Sequence, residues 1–215
     1  MSTDRLFSSV RESRRFSTLC LACAILLLPP PLRADVEQGV AAYQRQDYQE
    51  ALIAFRAAAD QGHADAQFHL GILYANGLGV TLDPFQALAW YQQAAEQGHG
   101  WAQYNAGSMY YLAAGVPQDY AQAHAWFLQA AEQGHAWAQY DLGSMYQFGL
   151  SVEPDAVVAY ALYNLAAATE QIAKQSRDRL APTLSRDQLA NAQALSSRWA
   201  KALAAGERLK IDLGP

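Results

Sequence analysis

Lysine and arginine are missing from Ala57 to Ala173, a stretch that nevertheless carries ten aspartates and glutamates. A body of that sign repels phosphates, which argues against nucleic acid as its partner. A partner with a cationic surface is the complementary choice. Cysteine is almost as scarce. Cys20 and Cys23 are the only two, and both fall in an N-terminal apolar run. Residues 35–215 hold none, which excludes a disulfide framework, a thiolate nucleophile and a zinc–sulfur site there. Long apolar runs are also missing: Phe16–Leu28 spans 13 residues, short of the roughly 20 that a membrane-crossing helix requires.

That run follows Arg5, Arg11, Arg14 and Arg15 and precedes "PLRA", the order of a secretory signal. Residues 1–34 are expected to be a cleaved signal peptide. The remainder, 35–215, is then periplasmic or secreted, with no membrane span after cleavage. It carries 10 basic and 18 acidic residues, a net charge of −8, and eight of the basic residues come from Lys174 onward. That basic end reads as the solvated face of terminal helices.

What is present is repetition. "AAEQGH" stands at 94–99 and again at 130–135, with "AADQGH" at 58–63. A shift of 36 aligns 64–99 with 100–135 and then with 136–171 without gaps. Ala66, Ala102 and Ala138 correspond, as do Gly71, Gly107 and Gly143, Tyr74, Tyr110 and Tyr146, and Asp83, Asp119 and Asp155. Such a period marks stacked supersecondary units, none able to bury its apolar face alone.

Each unit reads as two helices. Ala87, Trp90, Tyr91, Ala94 and Ala95 form one apolar helical stripe, with Trp126 and Phe127 in the matching places one unit on. Asp83 before Pro84 is a helix start, and Gln86 is placed to complete a capping box, as Gln122 is for Asp119. Ala66, Leu70 and Leu73 put one apolar face on a helix from Ala64 to about Asn76. Gly71 sits in mid-helix, where glycine costs about 1 kcal/mol relative to alanine; its recurrence predicts an approach too close for a side chain. A shorter unit over 39–63 has a tight "RQD" turn. After 171 the period lapses: Glu170 stands where a glycine should end the helix, so that helix is expected to run on toward Leu180. Ser185 and Gln188 then open a final helix that Gly206 stops.

The pattern A-x-Y/F-x-x-G-x-x-Y, then G-V-x-x-D, then A-x-x-W-Y/F-x-x-A-A-x-x-G resembles the Sel-one-like repeat family, relatives of the tetratricopeptide repeats. The resemblance implies an all-α, right-handed αα-solenoid of about four helix–turn–helix repeats with a C-terminal capping helix. The units would be a tetratricopeptide-like repeat at 35–63, Sel-one-like repeats at 64–99, 100–135 and 136–171, and capping helices over 172–215. It also implies adaptor work: exported bacterial members act in envelope assembly or as periplasmic regulators. A cysteine-rich branch is linked to β-lactam binding or hydrolysis, and this chain lacks that branch's paired cysteines.

The repeating histidines His63, His99 and His135 invite a metal reading, which distance opposes. A zinc ion needs its imidazole nitrogens about 2.0–2.1 Å away, whereas equivalent atoms in stacked repeats lie on the order of 10 Å apart. They read as caps or turns. No G-x-S-x-G or H-E-x-x-H motif occurs, so no catalytic residue, cofactor or metal is expected.

One stripe changes chemistry between units while the packing stripe does not. It runs Asp65, His69, Ile72, Asn76 in one first helix, Trp101, Asn105, Ser108, Leu112 in the next, and Trp137, Asp141, Ser144, Phe148 in the third. First helices line the concave side of a solenoid, and Trp is over-represented among residues that dominate binding energy. Two placements are open for Trp101 and Trp137: anchors in a partner groove, or rings packed on the preceding repeat. The function expected is a non-catalytic scaffold of the bacterial envelope that binds a protein or extended peptide along that groove. The alternatives are an enzyme acting on β-lactams or cell-wall material, and a periplasmic regulator of a membrane sensor kinase.

Overall fold

The computed structural model describes residues 36–211, so the expected signal peptide lies outside the described residues. Among the described residues are ten α-helices, one 3-10 turn and no strand. The first pair is α1 (Val36–Gln44) and α2 (Tyr48–Ala59), the second α3 (Ala64–Asn76) and α4 (Pro84–Glu96). The third is α5 (Gly100–Leu112) and α6 (Tyr120–Glu132), the fourth α7 (Ala136–Phe148) and α8 (Ala156–Ala166). Then come α9 (Gln171–Leu180), the 3-10 turn Ala181–Thr183 and α10 (Arg186–Ala204). Each helix up to α8 packs on its pair partner and on its sequence neighbours, and α9 and α10 both cover α8. The chain is a right-handed αα-solenoid with a capped end.

Local chemistry starts each second helix. Asp83 Oδ1 accepts from the N–H groups of Phe85 and Gln86, both at 3.0 Å, and Asp119 and Asp155 do the same one and two units later. The backbone N–H groups of these three aspartates donate back to Tyr74, Tyr110 and Tyr146, fixing the long connection. The reciprocal glutamine bond of a capping box does not accompany them; that complete box forms at Ser185 and Gln188. Second helices end at Gln97 and Gln133, and the glycine after each takes φ of +89° and +87°, a region that costs glycine nothing.

The expected continuous helix to Leu180 does not form. α8 stops at Ala166, and Ala168 and Thr169 donate i→i−3 bonds that tighten the chain into a turn before Glu170 restarts it. The reason is burial. Turning back lets α9 place Ala173 and Leu180 in the core while its charged residues stay outside. A straight extension would leave α8's buried residues Leu162 and Ala166 uncovered. Trp90 and Trp126 also differ from expectation: both are half-buried at the edge of the packed stripe, not within it.

The recurring mid-helix glycines meet aromatic rings. A Cβ on Gly107 would lie 2.7 Å from Phe127 Cδ1, and one on Gly143 would lie 3.0 Å from Tyr163 Cδ1. Gly71 under Tyr91 is tighter still, as is Gly39 under Phe55 in the first pair. Each ring is buried. Gly107→Ala is therefore expected to lower stability by about 1–3 kcal/mol through overpacking. Gly100→Ala should be neutral or slightly stabilising, because nothing lies within 4 Å of that site and alanine is the better helix former. Urea unfolding of both variants checks this; equal midpoints would show that the ring contact does not govern helix spacing.

Candidate interaction surface

None of the twelve variable-stripe residues is buried. Trp101 is 53% exposed and Trp137 37%, so neither is a core residue. Trp101 stands edge-on to His135 of the following repeat, with ring centroids 4.3 Å apart. Trp137 meets Tyr140 edge-on at 6.4 Å. Leu112 and Phe148 end their helices 68% and 66% exposed. Exposed apolar side chains at one register of adjacent repeats form a patch, the feature that marks interaction sites.

Two cavities open on this face. One, of about 240 Å³, lies between α3 and α5, lined by Ala75, Tyr91, Asn105, Ser108 and Leu112 among others. The other, of about 280 Å³, lies between α7 and α9, lined by Ser144, Gln147, Phe148, Tyr163 and Arg179 with two further residues. Between them the intervening site is filled. Tyr111 and Tyr120 stand where the preceding unit has Ala75 and Pro84, with rings 5.5 Å apart and Tyr111 leaning on Phe127 at 6.0 Å. The structure thus brings Asn105, Ser108 and Leu112 to one cavity and Ser144 and Phe148 to the other. Asp65, His69, Ile72, Asn76, Trp101, Trp137 and Asp141 lie outside both linings.

The histidines are caps, and their rings are packing elements. His99 Nδ1 accepts from the Ala102 N–H at 3.1 Å and His135 Nδ1 from the Ala138 N–H at 3.3 Å. His63 occupies the same helix start without a side-chain bond. His99 stacks on Phe68 at 4.5 Å, His135 on Tyr104 at 4.8 Å, and His69 on Phe55 at 4.6 Å. Burial lowers the pKa of all three, that of His135 to about 4. For His69 and His99 the nearby Asp65 pulls upward, and its Oδ1 lies 3.3 Å from His99 Nε2. Burial acts oppositely on Asp141, raising its pKa to about 6 against the lowering effect of the Tyr104 hydroxyl. Among the described residues no three His, Cys, Asp or Glu side chains are placed to hold a metal. His124 Nε2 pairs with the Tyr146 hydroxyl at 3.1 Å.

Sequence reasoning missed the polar joint between repeats. Gln97 Nε2 donates to Gln67 Oε1 and Gln133 Nε2 to Gln103 Oε1, both at 2.6 Å. Gln103 Nε2 in turn donates to the Ala95 carbonyl at 3.0 Å, and Gln139 Nε2 to that of Ala131 at 3.2 Å. Gln67, Gln103 and Gln139 are 5%, 1% and 2% exposed. The signal was available: glutamine recurs at 67, 103 and 139 and again at 97 and 133, where the third unit has Thr169, although both positions read as surface residues in an amphipathic pattern.

Residues 37–63, 64–99, 102–135 and 138–168 match the Sel1 repeat. A Sel1 repeat protein from Oxalobacter formigenes is 36% identical, with a TM-score of 0.56 over 60% of this chain and 97% of that one. A protective antigen present in uropathogenic Escherichia coli strains, displaying an SLR fold, is 26% identical, with a TM-score of 0.45 over 77% of this chain and 52% of that one. An exopolysaccharide production negative regulator from Rhizobium leguminosarum bv. viciae is 32% identical across 32% of this chain. The match spans 31% of that regulator's length.

Charging the half-buried histidines opposes the folded state as pH falls. A histidine whose folded pKa is lowered binds fewer protons when folded, so its stabilisation is full above 6.5 and lost as pH falls. For His135 the window runs from 6.5 down to about 4. Asp141 works oppositely, losing stabilisation as pH rises from 3.8 to about 6. His135→Asn keeps a capping acceptor but cannot take up a proton. Its melting temperature is expected to fall less than that of the wild type between pH 6.5 and 4, measured by circular dichroism. Parallel curves would remove His135 from this account.

Proposed function

The chain belongs to the Sel1 repeat family, and from that premise we propose that it is a non-catalytic scaffold of the bacterial cell envelope. It holds a protein, or an extended segment of one, along the first-helix face. Sel1 repeats typically mediate protein–protein interaction. The observation that supports this face is the contrast between two stripes. Packing positions keep their chemistry from unit to unit, whereas the stripe through Trp101, Leu112, Trp137 and Phe148 changes and stays exposed. An exposed apolar surface of this kind adds nothing to folding. Export through residues 1–34 would place it in the periplasm or outside the cell.

The Rhizobium regulator favours a regulatory form of the same reading; a periplasmic regulator of a membrane sensor kinase is the form that we set beside the scaffold. An enzyme acting on β-lactams or cell-wall material is the competing class. It predicts turnover of a chromogenic β-lactam by the purified chain, and none is expected.

Trp101→Ala with Trp137→Ala tests the groove. Loss of the Trp101 contact with His135 should cost about 0.5–1.5 kcal/mol, leaving helical content unchanged. Crosslinking in the periplasm followed by mass spectrometry should recover a partner with the wild type and not with the double variant. Equal recovery from both would place the interface elsewhere, and a collapse of the melting transition would show the two rings to be structural.

A further inference from the structure

Resting on the groove reading above, we propose that Asp141 anchors a lysine or arginine side chain of the bound segment, so that the partner presents a basic stretch of polypeptide. Asp83, Asp119 and Asp155 are committed to capping α4, α6 and α8. Asp65 faces His99 Nε2. Asp141 neither caps a helix nor lies within ion-pair distance of a cation among the described residues. It is half-buried on α7, and a carboxylate taken from water without a counter-charge is costly. A cation delivered by a partner removes that cost, which makes such a group a strong recognition element.

Its surroundings suit a cation's alkyl stem and head. Trp137 lies one turn before it on α7, and Tyr104 of α5 places its hydroxyl beside the carboxylate. Tyr104 stacks on His135, against which Trp101 stands edge-on, so aromatic rings flank the carboxylate on the α5 side. Lys and Arg gain from such faces as well as from the charge. The other titratable groups nearby are Tyr163 of α8, Glu170 before α9 and Arg179 of α9. Arg179 donates its Nε–H to the Gln175 carbonyl and lines the cavity beyond Tyr163.

The repeat series sharpens the assignment. The place held by Asp141 is held by His69 two units earlier, Asn105 one unit earlier and Arg177 one period later. His69 stacks on Phe55, Asn105 hydrogen-bonds the Tyr91 hydroxyl, and Arg177 is occupied with Asp178 and Asn164. Of these four equivalent places only that of Asp141 holds a carboxylate, which sets where along the groove a basic residue settles.

Asp141→Asn is a fold-compatible test, because Asn occupies the equivalent place in the preceding repeat. Asp60→Asn, at the end of α2, is the charge-matched control. The probes are fluorescein-labelled dodecapeptides of alternating Lys and Ser and of alternating Glu and Ser, read by fluorescence anisotropy. At pH 7.5 the Lys peptide should bind wild type and Asp60→Asn within twofold of each other, and Asp141→Asn roughly tenfold more weakly. The Glu peptide should bind none of them. Wild-type affinity should drop as pH falls through about 6, where Asp141 takes up its proton, beyond any decline common to both proteins as the histidines charge.

Equal affinity of Asp141→Asn and wild type, equal loss in Asp60→Asn, parallel pH profiles, or no binding of the Lys peptide to wild type would each overturn the assignment. The groove reading fails separately. If the crosslinked partner is lost from the double Trp variant but kept by Asp141→Asn, the groove stands and this anchor does not. If both variants keep it, the groove itself is wrong.

Discussion

An aromatic ring seated on a mid-helix glycine is the contact on which the rest of this solenoid depends. Phe55, Tyr91, Phe127 and Tyr163 each occupy the space that a side chain would need at Gly39, Gly71, Gly107 and Gly143. Glycine there costs about 1 kcal/mol of helix propensity, and the close approach it permits buries a whole ring against backbone. That approach sets the spacing within each pair. Alanines at Ala66, Ala102 and Ala138 then let the preceding unit's second helix come near. Because every unit repeats one geometry, successive first helices present their outer positions at a constant interval.

The joints between units are polar, and they explain the motif that gives the chain its look of chemistry. In "AAEQGH" the glutamine crosses to a buried glutamine of the first helix in its own unit, the glycine reverses the chain, and the histidine caps the next helix. Buried amides without partners would be costly, so Gln67 and Gln103 each pair with a second glutamine and Gln139 donates to the Ala131 carbonyl. The capping histidines are packed between aromatic rings and held neutral by burial. With Nδ1 accepting from the backbone, that nitrogen is committed to the joint.

With spacing and joints fixed by the repeat, variation is confined to the outer stripe. Substituting Tyr111 for Ala75 closes one cavity and leaves its neighbours open, and substituting Asp141 for Asn105 puts a charge at one register. Both positions are only partly buried, at the border of the packed stripe, where side chains of different size and charge are accommodated. A repeat protein gains specificity this way, by altering side chains on a frame that does not respond to them.

The sequence by itself determined the period, the helix pairs, the capping aspartates, the reversing glycines and the residues of the packed stripe. All of these follow from local propensity and from spacing within about 36 residues. Tertiary structure decided what depended on distant neighbours. The turn after Ala166 forms because α8 needs covering, which no local signal announces. Trp101 and Trp137 are exposed, whereas Trp90 and Trp126 are half-buried against core clusters, a difference set by how the units stack. Asp141 is left without an ion-pair partner among the described residues, and the arginine one period later is held by Asp178 and Asn164. Burial and pairing are properties of the stacked array, and one unit read alone does not contain them.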